Sequence, residues 1–186
     1  MKKITTIFAV AVGVLFSASL SAQKMNIGVN GAAALPIGDF GDFTTFGFGG
    51  DVSLDYYFND KINVGVEAGY RLFPYDDAFF DGEHMSIIPV QLTAAYHQDV
   101  ADFMEVYGEL GGGMFIASSS VAGSESETYG GISPRIGAAF ELTPEWFLDV
   151  NVNYSMVFSE ENTAMSINPN YNWIGINVGI LYTIWE

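Results

Sequence analysis

Hydrophobic and polar residues alternate one by one along most of the chain, and the alternation is clearest in residues 171–186. One parity of this segment carries Ile174, Ile176, Val178, Ile180, Tyr182 and Ile184. The other parity carries Trp173, Gly175, Asn177, Gly179, Leu181 and Thr183. A period of two with one apolar face predicts a β-strand that lies between two different environments.

The same alternation recurs in residues 26–34, 46–58, 62–72, 88–97, 104–116, 132–142 and 146–158, which gives eight predicted strands. Three connections are tight turns, at Asn59–Lys61, Asp99–Asp102 and Thr143–Glu145. The others are longer and polar, at residues 36–45, 74–83, 118–128 and 159–170. Short turns at one rim and long loops at the other are typical of an outer-membrane barrel.

The predicted fold is therefore an eight-stranded antiparallel up-and-down transmembrane β-barrel. The sheet must close, because lipid cannot hydrogen-bond the backbone groups of an open edge. Aromatic girdles are expected at both rims, since amphipathic rings settle at headgroup level. The short-turn girdle is expected to contain Tyr56, Phe58, Tyr96, Phe103, Trp146, Tyr182 and Trp185. The loop girdle is expected to contain Phe46, Tyr70, Phe115, Tyr129, Phe158, Tyr171 and Trp173.

The segment before the first strand has a different pattern. Lys2 and Lys3 precede an apolar run from Ile4 to Phe16, and small residues follow as far as Ala22. This order is that of a secretory signal peptide, so residues 1–22 are predicted to be removed. A membrane helix is disfavoured, because the run falls short of the roughly 20 apolar residues that a crossing needs. Residues 23–186 are then a single barrel domain.

Composition narrows the class of protein. Only 15% of the 186 residues are charged, and 22 Asp and Glu against 6 Lys and Arg give a net charge of −16. Such a chain lacks the basic surface that nucleic-acid binding requires, and it is too apolar to be disordered. Because it contains 0 cysteines, disulfide frameworks, thiolate catalysis and lipid attachment through Cys are excluded.

A soluble eight-stranded barrel such as a lipocalin is the main alternative. Its apolar face would point inward, and its outer face would carry many Lys and Glu residues. Here the polar parity is mostly Gly, Ser, Asn and acids, while the apolar parity is rich in Ile, Val and Leu. Together with the export signal, this distribution favours the membrane barrel.

Several segments carry a resemblance to a known family, namely Ser21-Ala22-Gln23, Leu35–Phe40, Gly47–Gly50, Val64–Tyr70 and the aromatic end Tyr182–Trp185. Through them the chain resembles small outer-membrane β-barrel proteins of the OmpA/OmpX-like type, also called porin-family or outer-membrane β-barrel domain proteins. The resemblance implies a place in the cell outer membrane with both termini in the periplasm. It also implies contact with the lipid bilayer and lipopolysaccharide, and insertion by the barrel assembly machinery.

An eight-stranded barrel has an interior only just wide enough for side chains to fill it. The inward parity carries Asp51, Asp55, Glu67, Glu105, Glu109, Glu141 and Asp149 against Arg71 and Arg135. The first short turn sets a register in which residue numbers that sum to about 120 pair, which places Arg71 diagonal to Asp51. Glu67, Glu109 and Arg135 are expected at mid-height. These five residues form the predicted polar network of the lumen.

Two functions remain open for this network. Ion pairs that fill and stiffen a small barrel fit a structural or surface-interaction protein, which is the favoured interpretation. If ions pass instead, the excess of acids predicts a narrow cation-preferring porin or channel for small solutes.

The densest acidic loop contains Asp76, Asp77, Asp81 and Glu83, which are weak candidates for metal ligands. Carboxylates suit Ca²⁺ or Mg²⁺, but their spacing matches no EF-hand, so solvated charge is favoured. No cofactor is predicted. An enzyme is not expected either, because His84 and His97 accompany no nucleophile elbow, phosphate loop or HExxH motif.

Overall fold

The computed structural model describes residues 24–76, 82–121, 123–158 and 171–185. In chain order the strands are β1 Met25–Ile37, β2 Gly47–Asn59, β3 Ile62–Pro74, β4 His84–Ala101, β5 Met104–Ser119, β6 Glu127–Thr143, β7 Trp146–Phe158 and β8 Asn172–Trp185. A short 3-10 helix, Gly38–Asp42, follows β1. The predicted signal peptide and the loop residues Asp77 and Asp81 lie outside the described residues.

The strands form one closed antiparallel barrel. Each strand pairs with the next in sequence, and β8 returns to pair with β1. This closing pair runs from Met25 opposite Trp185 to Ile37 opposite Asn172. The eight-stranded antiparallel barrel that the alternation predicted is confirmed. Within the described ranges, no helix is long and apolar enough to cross a membrane.

The first short turn fixes the register of β2 against β3. The side-chain oxygen of Asn59 accepts hydrogen bonds from the backbone N–H groups of Lys61 and Ile62, both at 2.9 Å. Side-chain bonding of this kind is why Asn is frequent in tight turns. Ser53 consequently lies opposite Glu67, and Gly49 lies opposite Arg71. The register predicted from the turn is therefore confirmed.

The wall of the barrel has an apolar outer face and a polar inner face. Each strand contributes exposed aliphatic side chains to the outside, including Val29, Val52, Val66, Leu92, Leu110, Ile136, Val152 and Ile176. The inner face buries polar side chains, including Asn30, Asp51, Glu67, Gln91, Ser133, Asn153 and Asn177. A soluble barrel would show the reverse arrangement, so that alternative is wrong.

Five strands, β1 and β3 to β6, extend further toward the loop end than the alternation indicated. β4 begins at His84, β5 ends at Ser119 and β6 begins at Glu127, so part of the predicted loop 118–128 is strand. Backbone pairing continues there, with Met85 opposite Ser119. The outward apolar period stops earlier because the outward positions of these extensions are polar, such as Ser86 and Ser118, while Met85, Ile87 and Ala117 are buried inside.

A cluster of buried apolar side chains closes the loop end of the lumen. We call it the plug, and it comprises Ala34, Phe40, Phe73, Met85, Ile87, Phe115, Ala117, Val157 and Trp173. Phe40 belongs to the 3-10 helix, which folds back over the barrel mouth. The lumen therefore changes from apolar at the loop end to polar at mid-height.

The plug corrects part of the predicted loop girdle. Phe115 and Trp173 do not face lipid, because both point into the barrel and are almost fully buried. Glycine leaves the necessary room, since a Cβ at Gly131 would lie 2.6 Å from the Phe115 ring. Tyr129 and Tyr171 also pack against the plug. The girdle residues that face outward at this rim are Phe46, Tyr70 and Phe158.

Candidate functional site

The lumen below the plug contains the predicted polar residues, and the first pair lies nearest the plug. Arg71 on β3 meets Asp51 on β2 through two parallel contacts, Nη1 to Oδ1 at 2.8 Å and Nη2 to Oδ2 at 2.5 Å. Both side chains are almost fully buried. Two parallel contacts suit the fixed fork of the guanidinium group, so this pair holds neighbouring strands in one register.

Arg135 on β6 is the centre of a second cluster. Its Nη2 lies 2.8 Å from Oε1 of Glu67 on β3, which is across the lumen. Its Nη1 lies 2.9 Å from Oε1 of Glu109 on the adjacent strand β5. Gln91 donates a longer bond of 3.4 Å to Glu67. The structure thus brings Arg135 together with the two carboxylates proposed from the sequence, and it places Arg71 and Asp51 in a separate pair.

Asparagine side chains fill the space between the charged groups. Asn177 on β8 donates to the side-chain oxygens of Asn151 at 2.6 Å and Asn153 at 2.9 Å on β7. Asn151 in turn donates to Asp149 at 2.7 Å, and the Tyr107 hydroxyl donates to the same carboxylate at 2.8 Å. Asp149 therefore lies among hydrogen-bond donors rather than beside a cation.

Sequence reasoning missed an aromatic group on the short-turn side of Arg135. The ring of His97 lies between Tyr57 and Tyr107, with both centroids at 5.2 Å. Its Nδ1 is 3.1 Å from Oε1 of Glu105. The available signal was that His97 and Tyr107 share the polar parity of their strands with the lumen acids.

The short-turn end of the lumen opens into a cavity of about 520 Å³, which we call the vestibule. The acids among its described lining residues are Asp60, Asp99, Asp102, Glu105 and Glu141. The amino group of Lys24 also lies there, 5.2 Å from the centre of the Tyr57 ring and 4.5 Å from that of Phe147. The vestibule is therefore strongly acidic, with one cation held over aromatic faces.

At the opposite end the rings of the plug contact one another across the lumen. Phe40 lies 4.8 Å from Phe73, measured between ring centroids. Trp173 lies 5.7 Å from Phe73 and 5.8 Å from Phe115. Edge-to-face and tilted contacts at these distances are favourable for aromatic pairs. They close the loop end with rigid apolar side chains supplied by β3, β5, β8 and the 3-10 helix.

Two of the weak metal candidates lie in the described part of the acidic loop. The Glu83 carboxylate accepts a hydrogen bond from the Ser120 hydroxyl, and the Asp76 N–H donates to the carbonyl of Phe43 at 3.1 Å. Within the described ranges, no group of three or more His, Asp or Glu side chains is arranged to hold a metal ion.

Solved structures of bacterial surface barrels share this architecture. Neisserial surface protein A aligns with a TM-score of 0.71 at 15% identity, over 88% of this chain and 100% of that protein. Ail of Yersinia pestis, solved with the heparin analogue sucrose octasulfate, aligns with a TM-score of 0.54 at 19% identity, over 87% and 97%. OprG of Pseudomonas aeruginosa aligns with a TM-score of 0.55 at 13% identity, over 89% and 97%. At these identities the likeness is one of fold.

No curated protein sequence matches this chain. A family profile does match it, over residues 7–182, and that family is described as the outer membrane protein beta-barrel domain. The match covers nearly the whole chain and agrees with the closed eight-stranded barrel, its apolar exterior and its polar lumen. This protein therefore belongs to the outer membrane protein beta-barrel domain family and is an outer-membrane barrel.

Proposed function

We propose that this protein is an integral outer-membrane barrel with a structural or surface-interaction role, and that its lumen does not conduct solutes. The observation that carries the proposal is the plug. Phe40, Phe73 and Phe115 are 0% exposed, and Trp173 is 1% exposed. Burying a large apolar side chain stabilises a fold by about 1.5–3 kcal/mol, so opening this end would require several such contacts to break together.

Conductance of the refolded mature chain in a planar lipid bilayer tests this proposal. The wild-type barrel is expected to show no steady channel, whereas the double substitution F115A/W173A is expected to give one. The matched control is F158A, which removes an outward-facing ring near the same rim. Steady openings of the wild-type protein would contradict a sealed lumen.

The vestibule favours a second candidate, a narrow channel that prefers cations. Its five lining acids would concentrate cations at the short-turn end if the plug opened transiently. Ion substitution in the same recordings separates the two candidates. Wild-type openings that favour potassium over chloride would support the channel, and firm anion preference would count against it.

We further propose that both termini and the short turns lie in the periplasm, while the long loops face outward and contact lipopolysaccharide. The acidic loop ends and the apolar band support this orientation. An epitope inserted at the exposed residue Gly123 should bind antibody on intact cells, and one placed before Lys24 should not. The reverse result would invert the orientation.

The terminal strand supports insertion by the barrel assembly machinery, because Tyr182–Trp185 forms part of the closing strand β8.

We assign the protein no catalytic role. The one described histidine–carboxylate pair, His97 with Glu105, faces the lumen beside tyrosine rings, and the buried carboxylates of the centre are engaged by Arg135.

A further inference from the structure

A small cavity lies at mid-height in the lumen, between the vestibule and the plug. Its volume is about 30 Å³, and all eight strands contribute to its lining. A volume of about 10–15 Å³ is enough to hold one water molecule, provided that polar partners surround it. The space is therefore large enough for one or two waters.

The atoms that line this cavity indicate its occupant. Five lining side chains, each at least nine-tenths buried, have a polar atom without a hydrogen-bond partner in the described parts of the chain. The atoms are Asn30 Oδ1, Asn63 Oδ1, Thr93 Oγ1, His97 Nε2 and Arg135 Nε. Buried polar atoms almost always have a partner, so five around one space require a shared one. Because both acceptors and the Arg135 N–H donor are present, the partner must donate and accept.

A metal ion fits this cavity poorly. The four carboxylates that border it are already engaged: Glu67 and Glu109 by Arg135, Asp55 by Ser53, and Asp149 by Tyr107 and Asn151. The described residues also include no group of three or more His, Asp or Glu that could coordinate a metal. Water satisfies donors and acceptors together and adds no charge.

His97 connects the cavity with the vestibule. Its Nδ1 faces Glu105, a lining residue of the vestibule, while its Nε2 faces the cavity. The other titratable groups near its ring are Tyr57 and Tyr107, which pack against it, and the carboxylates of Asp55 and Asp149. The side chain thus joins two polar spaces.

We propose that the central cavity binds one or two ordered water molecules, which link Thr93 and His97 to Arg135. The short-turn half of the lumen is then hydrated from the vestibule to the Arg135 cluster.

The substitution Thr93→Val tests the water site, because it removes the hydroxyl group and nearly keeps the shape. If water binds there, the unfolding equilibrium constant of the barrel in lipid vesicles should rise by roughly three- to tenfold, the loss of one hydrogen bond. If the cavity is dry, the substitution removes an unsatisfied group and stability should stay constant or increase, which would overturn the proposal. Thr183→Val is the matched control, since Thr183 donates to Asn26 within the chain at 3.0 Å and should lose stability in either case.

Hydroxyl-radical footprinting of the wild-type barrel provides a measurement that needs no variant. Radicals formed from bound water modify side chains beside it, even when those side chains are buried. His97 should therefore be modified faster than Trp173, although both are at least 96% buried and an indole ring is intrinsically the more reactive. The partly exposed His84 serves as the internal reference. Modification of Trp173 without modification of His97 would show that no water lies beside His97 and would overturn the proposal.

Discussion

At the scale of single residues, the lumen is determined by how each buried charge finds a partner. Arg135 contacts Glu67 and Glu109, and Arg71 contacts Asp51. Asp149 instead receives hydrogen bonds from Tyr107 and Asn151. Removing one partner of such a pair lowers the free energy of unfolding by more than the intact pair contributes to it, because the remaining charge is left buried without a partner.

Arg135→Met should therefore destabilise the barrel by about 3–5 kcal/mol, since it leaves two carboxylates without their cation. Urea unfolding in lipid vesicles measures the change. The double substitution R135M/E67Q should recover part of the loss, because one of the stranded charges is then removed. Lys61→Met, in an exposed turn, is the control and should change little. A single R135M variant as stable as wild type would contradict the central role of Arg135.

The pattern of residues in the sequence predicted which polar side chains share the lumen. The inward direction of two aromatic side chains was not predicted. The turn at Asn59 and the parity of each strand were enough to place Arg71 near Asp51 and Arg135 near Glu67. Phe115 and Trp173 were grouped with the loop girdle because they lie near that rim, although both share the parity of the inward residues of their strands. That parity, together with Gly131, which leaves room for the Phe115 ring, was the signal for the inward direction.

At the scale of the strand, the inner face needs small residues where neighbouring backbones approach closely. Gly49 on β2 is such a position, since a Cβ there would overlap the carbonyl oxygen of Tyr70. Gly108 on β5 is not, because nothing lies within 4 Å of the Cβ it would gain. Gly49 shares the inward parity of Asp51, whereas Gly108 shares the outward parity of Leu110 and is exposed.

Gly49→Ala should destabilise the barrel by about 1–3 kcal/mol, because the clash involves backbone that cannot rotate away. Gly108→Ala should be neutral within about 0.5 kcal/mol. Thermal unfolding followed by heat-modified gel mobility compares the two variants directly. Equal stability of both would show that β2 and β3 are not packed as closely as described.

Strand number and order could be predicted because lipid enforces the alternation wherever it touches the wall. Strand length could not, because β4, β5 and β6 extend past the apolar band. In these extensions Met85, Ile87 and Ala117 pack into the plug while the outward positions are polar, so the outward hydrophobic period ends before the strands do.

At the scale of the whole molecule, the apolar exterior is a continuous belt that meets acyl chains. Its middle is marked by Val152, which lies opposite Ile136 and Ile176 on the neighbouring strands. Its edge is marked by Ile62, the first residue of β3 after a short turn. A charged side chain on this belt should destabilise the inserted barrel more, the closer it lies to the middle of the bilayer.

Val152→Arg should therefore destabilise the inserted barrel by about 2–4 kcal/mol, and Ile62→Arg by no more than about 1 kcal/mol. Both side chains are exposed on the outer face, so the difference reports depth rather than lost packing. Reversible unfolding from phospholipid vesicles measures it. Equal costs at the two positions would place the hydrocarbon layer elsewhere.

Ring closure between β1 and β8 has a consequence for biogenesis. The two partners stand about as far apart in sequence as this domain allows, so the final row of hydrogen bonds cannot form until the last strand has been synthesised and exported. Non-local pairing of this kind is slow, and every earlier intermediate displays two unsatisfied strand edges. Transit to the membrane therefore demands an escort that keeps the polypeptide extended, and a truncated translation product without β8 would be a target for proteolysis rather than a smaller barrel.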